Sequence, residues 1–213
     1  MATAIKICGI SSPDALDAAI AARADFAGFV FFPPSPRHID ARAAAALAGR
    51  AGAAIGRVGL FVDADDGTIA EAVRAGRLDA VQLHGNETPQ RVAQVKERFR
   101  LPVWKALPVA NAEDVASADR YREIADLILF DAKTPKDAAL PGGMGLRFDW
   151  SLVAPYRGEI GWGLAGGLSP ANVAEAISRT GAPLVDTSSG VESAAGVKDS
   201  DKISAFCKAV RAA

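Results

Sequence analysis

Two residues of this sequence combine a titratable side chain with a position at the end of an apolar run: Cys8 closes IKIC, and Asp131 closes LILFD. A thiol has an ordinary pKa of about 8.5, so modest stabilisation of its thiolate gives a base that works near neutral pH. We expect Lys6, Arg37 or loop amides to supply that stabilisation. An aspartic acid facing the thiol would serve as the proton donor, so the pair indicates acid–base chemistry on a small substrate.

Each of these residues also has a purely structural interpretation. A buried cysteine is often only a small apolar side chain, and an aspartate after a strand often caps a turn or pairs with a cation such as Lys133. Arg37, in PPSPRHI, is equally typical of a solvated loop charge. We interpret His84, in QLHGNE, as a residue of the site wall that contacts substrate, and Cys207, in KISAFCKAV, as a core thiol.

Two segments near the C-terminus are typical of phosphate binding. In AGGLSPANV a glycine turn runs into a helix that we predict to start at Ser169 and Pro170, and the backbone N–H groups at such a start favour an anion. The segment DTSSGVE adds hydroxyl groups and another glycine. Each segment alone is equally typical of a tight turn, but their joint occurrence favours a phosphate site. The predicted phosphate ligands are Gly166, Gly167, Ser188, Ser189 and Gly190.

The elements that must position these residues alternate along the chain. Eight short apolar runs are separated by Ala-rich, charged segments with helical spacing, several of which begin with Ser, Thr or Asp followed by Pro. Units spaced roughly 25 residues apart predict a single-domain (β/α)₈ TIM barrel over residues 1–213. A doubly wound open sheet is the alternative, which the absence of GxGxxG in CGISSPD disfavours. The runs are IKICGI, FAGFVFF, IGRVGLFV, AVQLHG, VWKAL, LILFD, IGWGLAGG and PLVDTSSG.

A barrel of this kind brings the ends of all its strands to one mouth, where its active site lies. The loops that follow strands seven and eight commonly hold phosphate there, which agrees with the two glycine-containing segments. The long Gly-rich stretch at about 133–150 is predicted to be a mobile lid over this mouth.

Composition narrows the class of function. The 213 residues include 24 basic and 25 acidic side chains, so no overall field would recruit nucleic acid or an anionic membrane. Two cysteines and two histidines without metal-ligand spacing predict neither a zinc site nor a disulfide framework. The sequence has no signal-peptide pattern and no apolar run long enough to span a membrane. We therefore expect a cytoplasmic enzyme that acts on a small molecule and has no zinc site.

Several segments, taken in order, make a specific pattern, and together they resemble the phosphoribosylanthranilate isomerase family of tryptophan biosynthesis. The similarity runs from Lys6 to about Asp199 and includes combinations such as KICG and DTSSGVE that generic barrels lack. The segments are KICGI, GFVF, SPRHI, VGLFV, VQLHGNE, FDA, PGGMGLRFDW, LAGGLSPANV and VDTSSGVES.

The resemblance implies a TIM barrel that catalyses an Amadori rearrangement, the conversion of N-(5-phosphoribosyl)anthranilate into 1-(2-carboxyphenylamino)-1-deoxyribulose 5-phosphate, with no cofactor. It implies Asp131 as the general acid at the furanose ring oxygen and Cys8 as the general base at C2′. It also implies that Arg37 binds the anthranilate carboxylate and that Asp186 contacts a ribose hydroxyl. Members of the family are commonly monomeric, so we expect a monomer, with a homodimer as the alternative.

One segment departs from the family pattern. The lid of the family often has a small hydroxyl residue between its glycines and a Lys-Thr pair after them, where this chain has Met144 and Leu146–Arg147. Lid closure and water exclusion are therefore expected to differ.

Other functions remain as alternatives. Another sugar-phosphate barrel, such as a ribulose-phosphate epimerase or the aminoaldose isomerase of histidine biosynthesis, would share the phosphate site. The first would need metal-binding His and Asp residues, and the second an aspartate in place of Cys8. A non-catalytic sugar-phosphate binding protein could dispense with both Cys8 and Asp131.

Overall fold

The computed structural model describes residues 2–134 and 145–213, and eight parallel strands in it form a closed barrel. Each strand pairs with the next one in sequence, and β1 pairs with β8, with Lys6 opposite Asp186 in the register. The predicted barrel is therefore confirmed, whereas the open sheet is wrong because β1 and β8 are neighbours rather than edges. The strands are β1 Ala4–Cys8, β2 Phe26–Val30, β3 Gly56–Phe61, β4 Ala80–Leu83, β5 Val103–Val109, β6 Leu127–Ala132, β7 Gly161–Leu164 and β8 Leu184–Thr187.

Helices cover the outside of the barrel. Ser12 and Thr88 cap α1 and α4 by accepting backbone N–H groups, and a proline follows each of them, as the sequence predicts. No helix of the described residues is long and apolar enough to cross a membrane. The helices are α1 Pro13–Ala21, α2 Ala41–Ala51, α3 Asp66–Gly76, α4 Pro89–Phe99, α5 Ala112–Ala116, α6 Val173–Thr180 and α7 Ser200–Arg211.

The structure adds one element at the mouth of the barrel that the apolar pattern does not show. After β8, a short 3₁₀ helix at Ser189–Val191 leads into an antiparallel hairpin of β9, Glu192–Ala194, and β10, Val197–Lys198. These strands are too short to leave a periodic signal. The hairpin carries two charged side chains to the site, as described below.

The interior of the barrel changes character along the strand axis. The part toward the amino ends of the strands is apolar, and a cluster of buried side chains from different strands fills it, including Val58, Trp104 and Leu184. Since alternate residues of a strand share a face, the next inward positions toward the carboxyl ends hold polar groups. Lys6, Gln82 and Asp186 occupy them and are buried, with Lys6 and Gln82 at 0% exposure. Such burial of polar groups requires partners within the barrel.

Candidate active site

A cavity that is open to solvent lies at the carboxyl ends of the strands, and the empty space between its lining residues, open solvent included, is about 790 Å³. Every residue predicted to act in catalysis or to bind substrate contributes to its wall except Gly190. The predicted residues that line it are Cys8, Arg37, His84, Asp131, Gly166, Gly167, Asp186, Ser188 and Ser189.

Cys8 sits above a buried ion pair. Lys6, two residues earlier on the same face of β1, places its Nζ 2.9 Å from Oδ2 of Asp186 on β8. The ammonium also interacts with the Cys8 thiol. Gly28 on β2 makes room for both groups, because a Cβ there would lie 3.0 Å from Cys8 Sγ and 3.1 Å from Lys6 Nζ. The thiol therefore shares a small pocket with one ammonium group.

Burial, more than charge, sets the protonation of this thiol. It raises the pKa of Cys8 above that of an ordinary thiol, and Lys6 and Lys198 oppose the rise without cancelling it. Lys6 itself remains charged: burial disfavours its ammonium, but Asp186 and Cys8 hold the pKa of Lys6 above its usual range. The predicted neighbour Lys6 is therefore present and lowers the pKa of the thiol, but burial has the larger effect.

Asp131, at the end of β6, is held at both carboxyl oxygens. Its Oδ1 accepts the backbone N–H of Ala132 at 2.8 Å, and its Oδ2 lies 3.2 Å from Nε2 of His84 on the loop after β4. His84 therefore lines the cavity as predicted and, in addition, contacts the carboxyl group of Asp131. Sequence spacing gives no sign of this contact, since the two residues lie 47 positions apart on separate strands (131 − 84).

Arg37 is fixed by a buried carboxylate. Its Nε and Nη2 donate to the two oxygens of Glu192 at 2.8 Å each, a bidentate arrangement. Lys198 donates to the same carboxylate at 2.7 Å. Burial opposes the charge of Glu192, but the two cations hold the pKa of Glu192 below its usual range. The solvated-charge alternative for Arg37 is therefore wrong, because the side chain is 6% exposed.

Glu192 and Lys198 are functional candidates that the sequence analysis missed. They belong to the β9–β10 hairpin, which has no strong sequence signal. The run DTSSGVES places Glu192 close after the predicted phosphate turn, and this proximity was the one indication available. Lys198 also donates to the carbonyl and hydroxyl oxygens of Ser188 at 2.9 and 3.2 Å, so it joins the Arg37 region to that turn.

The first phosphate segment forms a glycine turn, but its helix begins later than predicted. Gly166 and Gly167 adopt φ of +85° and +61°, which favour glycine. The helix α6 starts at Val173, not at Ser169–Pro170. The predicted start is wrong because the Asn172 side chain bridges the turn, accepting from Ser169 N at 2.8 Å and donating to the Gly167 carbonyl at 3.0 Å. This bridge holds the residues before α6 in a turn.

The second phosphate segment packs directly onto the first. Thr187 donates its hydroxyl to the Leu168 carbonyl at 2.7 Å, and a Cβ on Gly190 would overlap that same carbonyl. Gly190 is therefore required for close approach of the two turns. Ser188 and Ser189 line the cavity beside Gly166 and Gly167. The two turns form one continuous surface of small residues.

The predicted lid at about 133–150 falls largely on residues 135–144, which lie outside the described residues, as does Met144. The described part returns to the site at Gly145. A Cβ on Gly167 would lie 2.7 Å from the carbonyl oxygens of Gly145 and Leu146, so this stretch rests against the first phosphate segment. Leu146 lines the cavity and Arg147 lies beside Gly167.

Comparisons with known proteins agree with this geometry. Residues 5–209 match the family model described as N-(5'phosphoribosyl)anthranilate (PRA) isomerase. The chain is 53% identical over 211 residues to the N-(5'-phosphoribosyl)anthranilate isomerase of Paramagnetospirillum magneticum, covering 99% of this chain and 98% of that protein.

Two solved structures are also similar. One describes monomers of the dimeric phosphoribosylanthranilate isomerase of Thermotoga maritima, with 37% identity, a TM-score of 0.85 and coverage of 99% of this chain and 100% of that one. The other is a phosphoribosylanthranilate isomerase in complex with reduced 1-(o-carboxyphenylamino)-1-deoxyribulose 5-phosphate. It has 36% identity, a TM-score of 0.86 and the same coverage.

Proposed function

Because the chain belongs to the N-(5'-phosphoribosyl)anthranilate isomerase family, it catalyses this aldose–ketose isomerisation in tryptophan biosynthesis, and we propose that Cys8 and Asp131 perform it as general base and general acid. The observation that carries this assignment is their shared cavity: the thiol enters it from β1 and the carboxyl group from β6. A substrate between them can be protonated on one side and deprotonated on the other.

In the first step, Asp131 donates a proton to the furanose ring oxygen. The bond between that oxygen and C1′ breaks, its electron pair stays on the oxygen, and the nitrogen lone pair forms a C=N bond to C1′. The product is an open-chain iminium ion, and Asp131 becomes a carboxylate. The hydrogen bond from the Ala132 N–H and the nearby His84 imidazole support that carboxylate at its two oxygens.

In the second step, Cys8 removes the proton from C2′. The electrons of the C–H bond form a double bond between C1′ and C2′ and neutralise the iminium nitrogen, giving an enolamine. The enol hydroxyl then loses its proton while C1′ gains one, which yields the ketone. The cationic nitrogen acidifies the C2′ proton, and a positive charge near Sγ also favours the thiolate over the buried thiol.

The remaining residues are proposed to bind the two ends of the substrate. Arg37, oriented by Glu192, binds the anthranilate carboxylate, for which a guanidinium is geometrically suited. Small residues of the two turns offer backbone N–H groups and hydroxyls to the phosphate; these are Gly166, Gly167, Ser188, Ser189 and Gly190.

Asp186 is proposed to bind a ribose hydroxyl. Its Oδ2 is engaged by Lys6, while its Oδ1 is buried and has no hydrogen-bond partner among the described residues. A hydroxyl group of the substrate would supply the donor that this oxygen lacks.

Isotopic substitution tests whether a base removes the C2′ proton. Substrate carrying deuterium at C2′ is expected to turn over more slowly in single-turnover experiments, and product formed in ordinary water is expected to carry solvent hydrogen at C1′. Complete transfer of the deuterium from C2′ to C1′ would contradict proton removal by a base. Ribulose phosphate and the aminoaldose of histidine biosynthesis, offered in parallel, are expected to be poor substrates.

The exposed surface and the cysteines bear on the oligomeric state of the protein and on its cellular compartment. Among the described residues, the large hydrophobic side chains that are exposed are Leu146 and Val197, which is too small a set for an extended interface. We therefore propose a monomer in the cytoplasm, where two free cysteines, both buried, remain reduced. Light scattering after size exclusion would report a mass near 22.0 kDa, and twice that mass would establish a homodimer.

A further inference from the structure

Gln82 is a buried polar residue that the acid–base steps do not use. Its side chain points into the barrel from β4 and is 0% exposed. Its Oε1 is buried and has no hydrogen-bond partner among the described residues, whereas its Nε2 lies 3.0 Å from Nδ1 of His84. Burying an amide with one unsatisfied end is destabilising, and an apolar residue would avoid that cost. Its presence calls for a role beyond packing.

His84 joins Gln82 to Asp131. Gln82, on β4, and His84, just after it, are separated by one position, so both side chains face the barrel axis. His84 uses Nδ1 toward Gln82 at 3.0 Å and Nε2 toward Oδ2 of Asp131 at 3.2 Å. The three side chains form a continuous series of polar contacts from the barrel interior to the cavity, with a hydrogen bond between Gln82 and His84 and a close approach between His84 and Asp131.

A buried lysine on the neighbouring strand β5 fixes the loop that carries His84. Lys105 of β5, which is 2% exposed, donates to the Leu83 and Gly85 carbonyls that flank His84, at 3.2 and 2.8 Å. It also pairs with Glu87 at 3.0 Å, and Glu87 accepts the Gly85 N–H at 2.9 Å. These contacts fix the turn that places the His84 imidazole next to Asp131. A group that orients a reacting side chain must itself be held in place in this way.

An amide next to an imidazole can match either neutral tautomer. When the amide nitrogen of Gln82 donates to Nδ1 of His84, the ring hydrogen lies on Nε2 of His84, which donates it to an Asp131 carboxylate. When the amide is reversed, Oε1 of Gln82 accepts a hydrogen from Nδ1 of His84, and Nε2 of His84 accepts a hydrogen from protonated Asp131. Both protonation states that a general acid passes through are therefore satisfied.

We propose that His84 and Gln82 are positioning residues for Asp131, holding its Oδ2 before and after proton transfer. The proposal rests on the proposed role of Asp131 as the acid. It assigns His84 to the acid rather than to the substrate, so its loss lowers kcat and leaves KM nearly unchanged. A substrate-binding histidine would show the opposite pattern.

Kinetics of matched variants test this assignment. His84→Leu is expected to lower kcat by about 10²-fold, the size of effect that misplacing a reacting group produces. His84→Gln, whose amide can still donate toward Asp131, is expected to recover part of that loss, and Gln82→Met to lower kcat less than His84→Leu. His38→Gln, at an exposed position, is the control. A raised KM with unchanged kcat in His84→Leu would overturn the proposal.

Nuclear magnetic resonance provides a readout that does not depend on turnover. The chain has two histidines, so ¹⁵N spectra of wild type and His38→Gln identify the His84 nitrogens. We expect a single neutral tautomer of His84 in the wild type, matched to the protonation of Asp131, and a mixture of tautomers in both Asp131→Asn and Gln82→Met.

A His84 spectrum insensitive to both substitutions would overturn the proposal even if one variant were too unstable for kinetics. Failure of the wild type to convert substrate would instead contradict the proposed function and leave this spectroscopic result readable. The two failures are therefore distinguishable.

Discussion

The ammonium nitrogen of Lys6 lies 2.9 Å from Oδ2 of Asp186, inside the barrel and on the same strand face as Cys8. Both partners of this ion pair are buried, and the pair links the proposed base, Cys8, to Asp186, the proposed ligand of a ribose hydroxyl. Burying an ion pair is not in itself a strong source of stability. Because the pair lies next to the thiol of Cys8, its two charges also affect the pKa of that thiol.

Replacing Lys6 with Met is expected to shift the pH dependence of catalysis. Lys6 opposes the rise that burial causes in the pKa of Cys8, with Asp186 raising it further and Lys198 lowering it. Without Lys6 the pKa rises further, so the thiolate forms at higher pH, and kcat/KM falls at neutral pH and recovers toward alkaline pH. Lys6→Arg, which keeps the charge, is expected to shift the profile less.

Alkylation of Cys8 measures the same shift directly. In a Cys207→Ala background the chain has a single thiol, so the rate of reaction with iodoacetamide reports Cys8 alone. The alkylation profile of Lys6→Met is expected to move to higher pH. Superimposable profiles with and without Lys6, in variants shown to be folded by circular dichroism, would contradict this role.

Gly190→Ala is expected to weaken phosphate binding and stability together. The new Cβ would overlap the Leu168 carbonyl, so the two phosphate turns must separate. We expect a loss of about 1–3 kcal/mol in the free energy of unfolding, as for other overpacked sites. Inhibition by inorganic phosphate should weaken as well. Gly49→Ala, where a Cβ meets nothing within 4 Å, serves as the control and should not destabilise. Equal behaviour of the two variants would refute the packing argument.

Glu192→Gln is expected to raise KM through Arg37. The substitution removes the charge that both Arg37 and Lys198 share, so the guanidinium loses its fixed orientation. We expect KM to rise by about tenfold, which corresponds to one charge-assisted hydrogen bond, while kcat changes little. The measurement is steady-state kinetics, with competitive inhibition by benzoate as a probe of the carboxylate site.

An exposed glutamate provides the comparison for this variant. Glu159 pairs with Arg122, and its side chain is 73% exposed, so Glu159→Gln should leave both KM and stability nearly unchanged. If Glu192→Gln behaves in the same way, Arg37 does not depend on this carboxylate for its orientation.

The barrel could be predicted from the sequence because its signals are local. Strands buried on both faces appear as apolar runs, and residues such as Ser12 and Thr88 mark the helix starts that follow. The start of α6 was mispredicted because the Asn172 side chain bonds Ser169 and Gly167 and keeps them in a turn. Such competition between side-chain and helical hydrogen bonds depends on three-dimensional detail.

The residues of the site could be predicted from the sequence, but the contacts between their side chains could not. Cys8, Asp131 and the glycine turns follow from their positions at strand ends. The contacts of His84 with Asp131, and of Arg37 with Glu192, join residues far apart in the chain, and no spacing rule indicates them. The pKa of Cys8 could not be predicted from the sequence for a related reason: burial outweighs the nearby cation, and burial is a property of the folded chain.

The most direct test of the acid–base pair is loss of the anthranilate-type fluorescence of freshly prepared phosphoribosylanthranilate with wild type, Cys8→Ser and Asp131→Asn. We predict rapid loss with the wild type and rates lower by at least about 10²-fold for each folded variant, the usual contribution of a general acid or base. Turnover by either variant at the wild-type rate would contradict the role given to that residue, and a wild type without turnover would contradict the function itself.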